Sequence, residues 1–446
     1  MKISLNRRRW LQTNLLASTA VASPAWLRHA FGEQAPNSRL RFGGIGMGPR
    51  GCSDTGEHMG HAELVAVSDL DSTRMTAANQ QFTKGKAAEY SDYRALLDRK
   101  DIDVVMIATP DHWHTKTSLD ALAAGKHVFC EKPLTLTIRE NQILCAAAKK
   151  YAKQTFVVGT QRRMEVPRFT RAVNMVRQGL LGEIKHVSVS ISKSYNATFA
   201  PPKDQRFKLL NVPEGFDWDR WSGQVKVYPY RENRGHGRFR YWYEYAGGRV
   251  TDWGAHYLDT VLWALEQDQP GKGLVWVDAT DCNHPLPMKD GYPLEDDYYN
   301  AAHDFCLKGK LENGVSIELE SRLDDCIVFE GTKGRVRVNC GSIRGLPVEE
   351  NWDKDCYGDD ELRALFKGKP KESRMSNFYR CIREGGLPVS DVFSHCQVMT
   401  ACHVFNIAAR LGRNNLRWDP VNETFPEDTQ ACTFISREQR KGYEIE

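Results

Sequence analysis

At 446 residues, 41% hydrophobic and 26% charged, the chain has the length and composition of a soluble protein of two or three domains with room for a sizeable core. Its formal net charge of +4 includes Lys2, Arg7, Arg8 and Arg9, so the rest of the chain is neutral, which excludes the basic field that nucleic acid or an anionic membrane surface demands. The twelve cysteines form no CxxC pair, and in apolar contexts such as Cys130, Cys145 and Cys402 they read as small core residues.

Residues 1–35 combine a basic start, an apolar stretch from Leu11 to Ala22 too short to span a bilayer, and the small residues Ala20-Val21-Ala22. Asn6-Arg7-Arg8-Arg9-Trp10-Leu11-Gln12 resembles the twin-arginine (Tat) signal, which implies export of a folded protein, to the periplasm or beyond, with its cofactor aboard.

The next stretch, 36–160, reads as a dinucleotide-binding Rossmann domain. Arg39 to Ile45 is a predicted strand that runs into Gly46-Met47-Gly48-Pro49-Arg50-Gly51, a GxGxxG turn whose glycines allow close approach of backbone to a pyrophosphate. A second apolar strand, Ala62 to Ser68, ends at Asp69, where a carboxylate meets ribose hydroxyls and repels a 2′-phosphate, favouring NAD over NADP. Asp101 to Ala108 is a third strand, followed by Thr109-Pro110-Asp111-His112-Trp113-His114 as a loop and a helix from Thr117 to Ala124. His112 and His114 lack the third ligand that a catalytic zinc requires, so no metal is expected, and they join Thr109 and Pro110 as cofactor contacts. Lys126 to Cys130 is the next strand, and it stops at Glu131-Lys132-Pro133. Strands alternating with helices imply a parallel sheet, with these residues at the carboxyl ends where ligands bind.

Gly46-x-Gly48-x-x-Gly51, Ala108-Thr109-Pro110-x-His112 and Glu131-Lys132-Pro133-Leu134 together resemble the Gfo/Idh/MocA family, the glucose-fructose oxidoreductase and inositol dehydrogenase group. The resemblance implies NAD or NADP as cofactor, a catalytic lysine at Lys132, and often a cis bond before Pro133. It spans roughly Arg39 to Pro420. The expected cofactor contacts are Gly46, Met47, Gly48, Arg50, Gly51, Asp69, Thr109, Pro110, His112, His114, Glu131, Lys132 and Gln161.

Residues 161–420 change character. After Phe156 to Gly159, with Arg162 and Arg163 near the same crevice, and a helix from Pro167 to Gln178, the pattern alternates: His186 to Tyr195, Leu274 to Ala279, Tyr299 to Cys306, Val315 to Leu323, Asp325 to Gly331 and Arg335 to Cys340 read as strands of a large, mainly antiparallel sheet with one open face. The fold class is thus α/β, a doubly wound Rossmann sheet plus an α+β domain, with homo-oligomerisation expected through the open face, a helix from Asp391 to Leu411 packing back on the first domain, and a tail over 421–446.

Ten aromatics between Phe216 and Tyr245 suit a sugar platform or the packing of a long insertion. A helix opening at Asp252 puts Asp252, His256 and Asp259 on one face, and this stretch resembles the family's D-x-x-x-H element. His256 is the expected base, Asp252 its orienting partner, and Lys132 the group that polarises the substrate oxygen. Arg162, Arg163, Tyr195 and Trp253 are the expected substrate contacts. The expected reaction is hydride transfer between a sugar or polyol secondary alcohol and NAD. Two alternatives are an NAD-recycling glycosidase that oxidises, eliminates and reduces again, and a non-catalytic sugar-binding protein.

Overall fold

The computed structural model describes residues 39–191, 206–345 and 359–445, so Tyr195 and the expected leader lie outside the described residues. The chain divides into Met1–Leu40, of which only Arg39 and Leu40 are described, and Arg41–Glu446, which holds every element below.

Six apolar runs make one parallel sheet: β1 (Arg41–Ile45), β2 (Glu63–Ser68), β3 (Ala88–Tyr90), β4 (Val104–Ile107), β5 (His127–Cys130) and β6 (Phe156–Val158). Their spatial order is β3-β2-β1-β4-β5-β6, so the direction of winding reverses between β1 and β4 and opens a crevice beyond their carboxyl ends. Helices cover both faces, which is why the central strands β4, β5 and β6 are apolar runs rather than alternating ones; all four residues of β4 are fully buried. The helix after β4 spans Asp111–Ala123 and begins well before Thr117, the predicted start. Pro110 supplies an extended cap residue and Asp111 places a carboxylate in the positive first turn. The stretch expected to be a loop is therefore mostly helix, and His112 and His114 are drawn into the core.

The second sheet is mixed, in the order β15-β14-β13-β7-β12-β11-β8-β16, with β7 and β12 its one parallel pair. It comprises β7 (Ile184–Ser190), β8 (Leu274–Asn283), β11 (Asp304–Leu311), β12 (Ser316–Glu320), β13 (Cys326–Gly331), β14 (Gly334–Val338), β15 (Ile343–Arg344) and β16 (Leu416–Arg417), while β9 (Met288–Lys289) and β10 (Tyr292–Pro293) form a separate ribbon. Phe305, Leu307, Gly309 and Leu311 of β11 face the core, while Lys308 and Lys310 face out and Lys308 sits opposite Glu318. The strand predicted at Tyr299 starts only at Asp304, because Tyr298 and Tyr299 turn inward to pack on Phe207. Helices Pro167–Arg177, Gly254–Ala264 and Val392–Leu411 cover the inner face, and the last also packs on Ile138–Lys150 of the first sheet's layer. One apolar core runs through both halves. All the described cysteines are free, with Cys130 and Cys402 buried.

Arg163 is a correction to the expected substrate contacts. Its guanidinium is 1% exposed and grips Asp259 (Nη2 to Oδ1 2.7 Å) and Asp268 (3.1 Å), tying helix Gly254–Ala264 to the turn that follows it. Burial would raise the Asp259 carboxyl, but Arg163 outweighs it and holds it at about 2. Arg163→Met is expected to destabilise the protein by ~3–5 kcal/mol in urea unfolding, because two buried carboxylates lose their counter-charge. A group depressed in the folded state stabilises above its unfolded pKa, so the part of stability owed to Asp259 is present above 3.8 and lost as pH falls towards 2.

Candidate active site

The turn after β1 is shaped for an anion. Gly46 sits at φ +86°, and a Cβ there would lie 2.7 Å from the Ala108–Thr109 backbone at the end of β4; a Cβ on Gly51 would lie 1.9 Å from the Gly46 oxygen. Only glycine tolerates both positions. The helix Pro49–His58 that follows has no side-chain cap, leaving its first free amides directed at the crevice. Asp69 directly follows β2 and accepts the Met47 amide (2.6 Å) and the Asp71 amide (2.9 Å), which leaves further acceptor capacity on its carboxylate for ribose hydroxyls. These residues fit a dinucleotide.

Gly46, Gly48, Arg50, Asp69, Thr109 and Pro110 line the resulting groove. Met47 and Gly51 lie behind it as buried supports. Glu131 is 4% exposed and faces Arg50 (3.1 Å), Arg374 (3.3 Å) and, at the 3.5 Å limit, Gln161, so Glu131 and Gln161 brace Arg50 from behind. His112 and His114 line neither cavity of the site. His112 Nε2–H donates to Trp221 O (2.7 Å), and burial pushes its imidazole down to about 3. His114 spans the two strand ends, with Nδ1 2.6 Å from Pro133 O and Nε2 2.8 Å from Thr109 O. Both were displaced from the expected contacts by the early start of their helix.

The aromatic segment roofs this groove. Phe216, Trp221, Phe239 and, from the chain's tail, Tyr443 face the glycine turn. The roof is tied to the parallel sheet by Asp217 N–H to Leu70 O (2.9 Å), Ser72 N–H to Gly215 O (3.0 Å) and His236 to Asp71 (3.0 Å). Most of the ten aromatics pack on one another in a cluster of their own, which is the core of the insertion.

Where the groove meets the second sheet, Lys132, Asp252, Trp253, His256 and Arg162 converge on a cavity of about 440 Å³. The Lys132–Pro133 bond is cis. Lys132 Nζ reaches Asp252 Oδ1 at 2.6 Å and Asp252 O at 2.9 Å. Asp252 thus orients the lysine and not His256, which corrects the expected pairing. The helix expected to open at Asp252 instead breaks at Trp253, into Gly248–Asp252 and Gly254–Ala264, so the carboxylate turns to β5. Burial would push Asp252 up; Lys132 and Arg240 (3.6 Å) outweigh it and keep the carboxyl below its usual range. His256 is 8% exposed, its Nδ1 has no partner, and burial followed by Lys132 and Arg162 holds it well below its ordinary value, hence neutral and able to accept a proton.

Sequence reasoning missed Arg240, which lines both cavities, and Asp111, whose Oδ2 is buried without a partner. No local pattern marks Arg240: it reaches the site from the insertion.

Sequence models of two domains of one family match the chain: its NAD-binding Rossmann fold over residues 40–160 and its C-terminal alpha/beta domain over 167–287. The chain belongs to the Gfo/Idh/MocA oxidoreductase family. An alpha-N-acetylgalactosaminidase of Shewanella oneidensis is 35% identical over 187 residues, which is 39% of this chain and 39% of that protein, so the likeness covers well under half of either. The WlbA dehydrogenase of Bordetella pertussis, solved with NADH and UDP-GlcNAcA, superposes with a TM-score of 0.58 at 20% identity over 84% of this chain and 98% of its own. A levoglucosan dehydrogenase solved with NADH and levoglucosan gives the same score, identity and coverage. At that identity these two share the fold. NAD is the cofactor of this Gfo/Idh/MocA domain, with Gly46–Gly51 and Asp69 as the residues shaped to hold it.

Burial pushes the Asp111 carboxyl up to about 7; Arg240 and Lys132 pull it down and Asp252 pushes it further up. Between the unfolded value of 3.8 and about 7 the folded state holds the extra proton, so this group makes stability fall as pH rises through that window. Urea unfolding at pH 5 and 8 is expected to show a smaller loss of stability for Asp111→Asn than for the parent chain.

Proposed function

We propose that this protein oxidises a secondary alcohol of a sugar or polyol, with NAD as acceptor. The observation that carries this reading is the meeting of a lysine ammonium, held by a carboxylate, with a neutral histidine at the mouth of a dinucleotide groove. Lys132 donates a hydrogen bond to the substrate oxygen, Asp252 keeps the ammonium in place, and His256 accepts the hydroxyl proton. NAD, when bound, supplies the hydride acceptor. The neutral imidazole has a lone pair free to take the hydroxyl proton, and the adjacent ammonium stabilises the alkoxide as it forms. Arg162 and Trp253 contact the substrate, and Arg163 supports from the core.

One further reading has specific support. Identity to the alpha-N-acetylgalactosaminidase and the roofed groove favour a glycosidase in which the same first oxidation acidifies a neighbouring carbon–hydrogen bond, the aglycone leaves by elimination, water adds across the resulting double bond, and the hydride returned from the reduced cofactor restores the alcohol with no net redox change. The basic and apolar start of the chain supports export through the Tat route, where a captive cofactor would need no replacement. Self-association through the open face of the second sheet belongs to the same reading.

Incubation of the protein with free sugars and aryl glycosides, following nicotinamide absorbance and aglycone release together, separates the two. Net reduced cofactor is the expected result; aglycone release without it converts the reading to the glycosidase. Lys132→Ala and His256→Ala are each expected to lower turnover by ~10²-fold or more while cofactor binding persists, and full turnover by either variant overturns the assigned roles.

A further inference from the structure

The cavity above Asp252 and His256 is rich in positive charge. Lys132, Arg162, Arg238 and Arg240 line it, and Asp252 is its one carboxylate among the described residues. That carboxylate is already engaged by Lys132 at 2.6 Å and Arg240 at 3.6 Å. Arg162 and Arg238 are left without an acidic partner among the described residues.

Arg162 is the informative one, because it is only 7% exposed. Its guanidinium lies 4.6 Å from the Tyr257 ring and 5.3 Å from that of Phe169, Nη2 reaches the Cys340 sulfur at 3.5 Å, and Nε is buried with no hydrogen-bond partner. Burying a guanidinium without a counter-ion is costly. The next residue shows how this fold treats a structural arginine: Arg163, 1% exposed, has two carboxylates. Fully buried Arg374 likewise has Asp54, Glu57, Glu131 and Glu165. Arg162 differs from both in facing a cavity.

We propose that this site takes an anionic carbohydrate, whose carboxylate, sulfate or phosphate group is held by Arg162 and Arg238. The proposal rests on the oxidoreductase reading for its carbohydrate and on charge for its anion. Arg162, lying over the Tyr257 ring, has guanidinium N–H groups left over from the Cys340 contact to offer an anion oxygen. Arg238, exposed at the cavity rim, draws the anion in. An anion here also supports the chemistry: Lys132 and Arg162 oppose protonation of His256, and a bound negative charge offsets them as the proton arrives.

The test is calorimetric titration of NAD-loaded protein with matched pairs at one ionic strength: D-glucuronate against D-glucose, D-galacturonate against D-galactose, and a galactose sulfate and a galactose phosphate against galactose. At least one acid is expected to bind about tenfold or more tightly than its neutral partner, and Arg162→Gln and Arg238→Gln each to remove about tenfold of that affinity, with neutral sugars unaffected by Arg238→Gln. The carboxylate, sulfate and phosphate arms distinguish the source of the anion. Arg238 is exposed, so its replacement reports on binding even where Arg162→Gln compromises folding. No binding by any acid, neutral sugars binding as tightly as the acids, or a preference that survives both substitutions overturns the proposal. Acids that bind as expected without reducing NAD or releasing an aryl aglycone leave the anion site standing and overturn the oxidation reading instead.

Discussion

The contact between Lys132 Nζ and Asp252 Oδ1, 2.6 Å across 120 positions of sequence, is the constraint on which the rest of this site depends. The lysine ends a strand of the parallel sheet; the carboxylate ends a short helix that belongs to the second sheet. Taken singly, each would be an expensive buried charge, and together they fix the distance between the dinucleotide groove and the cavity beside it. The break at Trp253 makes this possible, because a continuous helix from Asp252 would have directed the carboxylate along its own face towards His256.

Much of the molecule follows the same rule that a buried charge finds a partner. Arg163 secures helix Gly254–Ala264 through Asp259, and Arg374 gathers four acids behind the glycine turn and so steadies Glu131 and Arg50. His256 obeys it differently. Surrounded by cations and out of water, it stays neutral, and that is the state in which an imidazole can take a proton. Arg162 stands apart from the pattern, and it does so at the wall of the active cavity.

The roof over the groove connects packing to chemistry. Its aromatics spend most of their surface on one another, yet Phe216, Trp221 and Phe239 also close the space above the glycine turn, with Tyr443 arriving from the tail. Backbone hydrogen bonds at Leu70 and Ser72 stitch this cover to the strand end that carries Asp69. Removing water from above the groove strengthens every polar contact within it.

Where interactions are local, the sequence was sufficient. GxGxxG after a strand, a carboxylate at the end of the next one and an apolar run ending in Glu131-Lys132-Pro133 dictate a Rossmann sheet and its crevice, because strand burial and turn sterics act over a few residues. The alternation of the second sheet was legible for the same reason. The fates of charged and polar side chains were not. His112 and His114 moved into the core because one proline started a helix early, Arg163 found its carboxylates about a hundred residues away, Asp252 chose Lys132 over His256, and Arg240 came in from an insertion. Sequence determined which groups could carry charge near the crevice; only the tertiary structure decided how they pair, since the desolvation that makes pairing compulsory exists only once distant segments have closed over them.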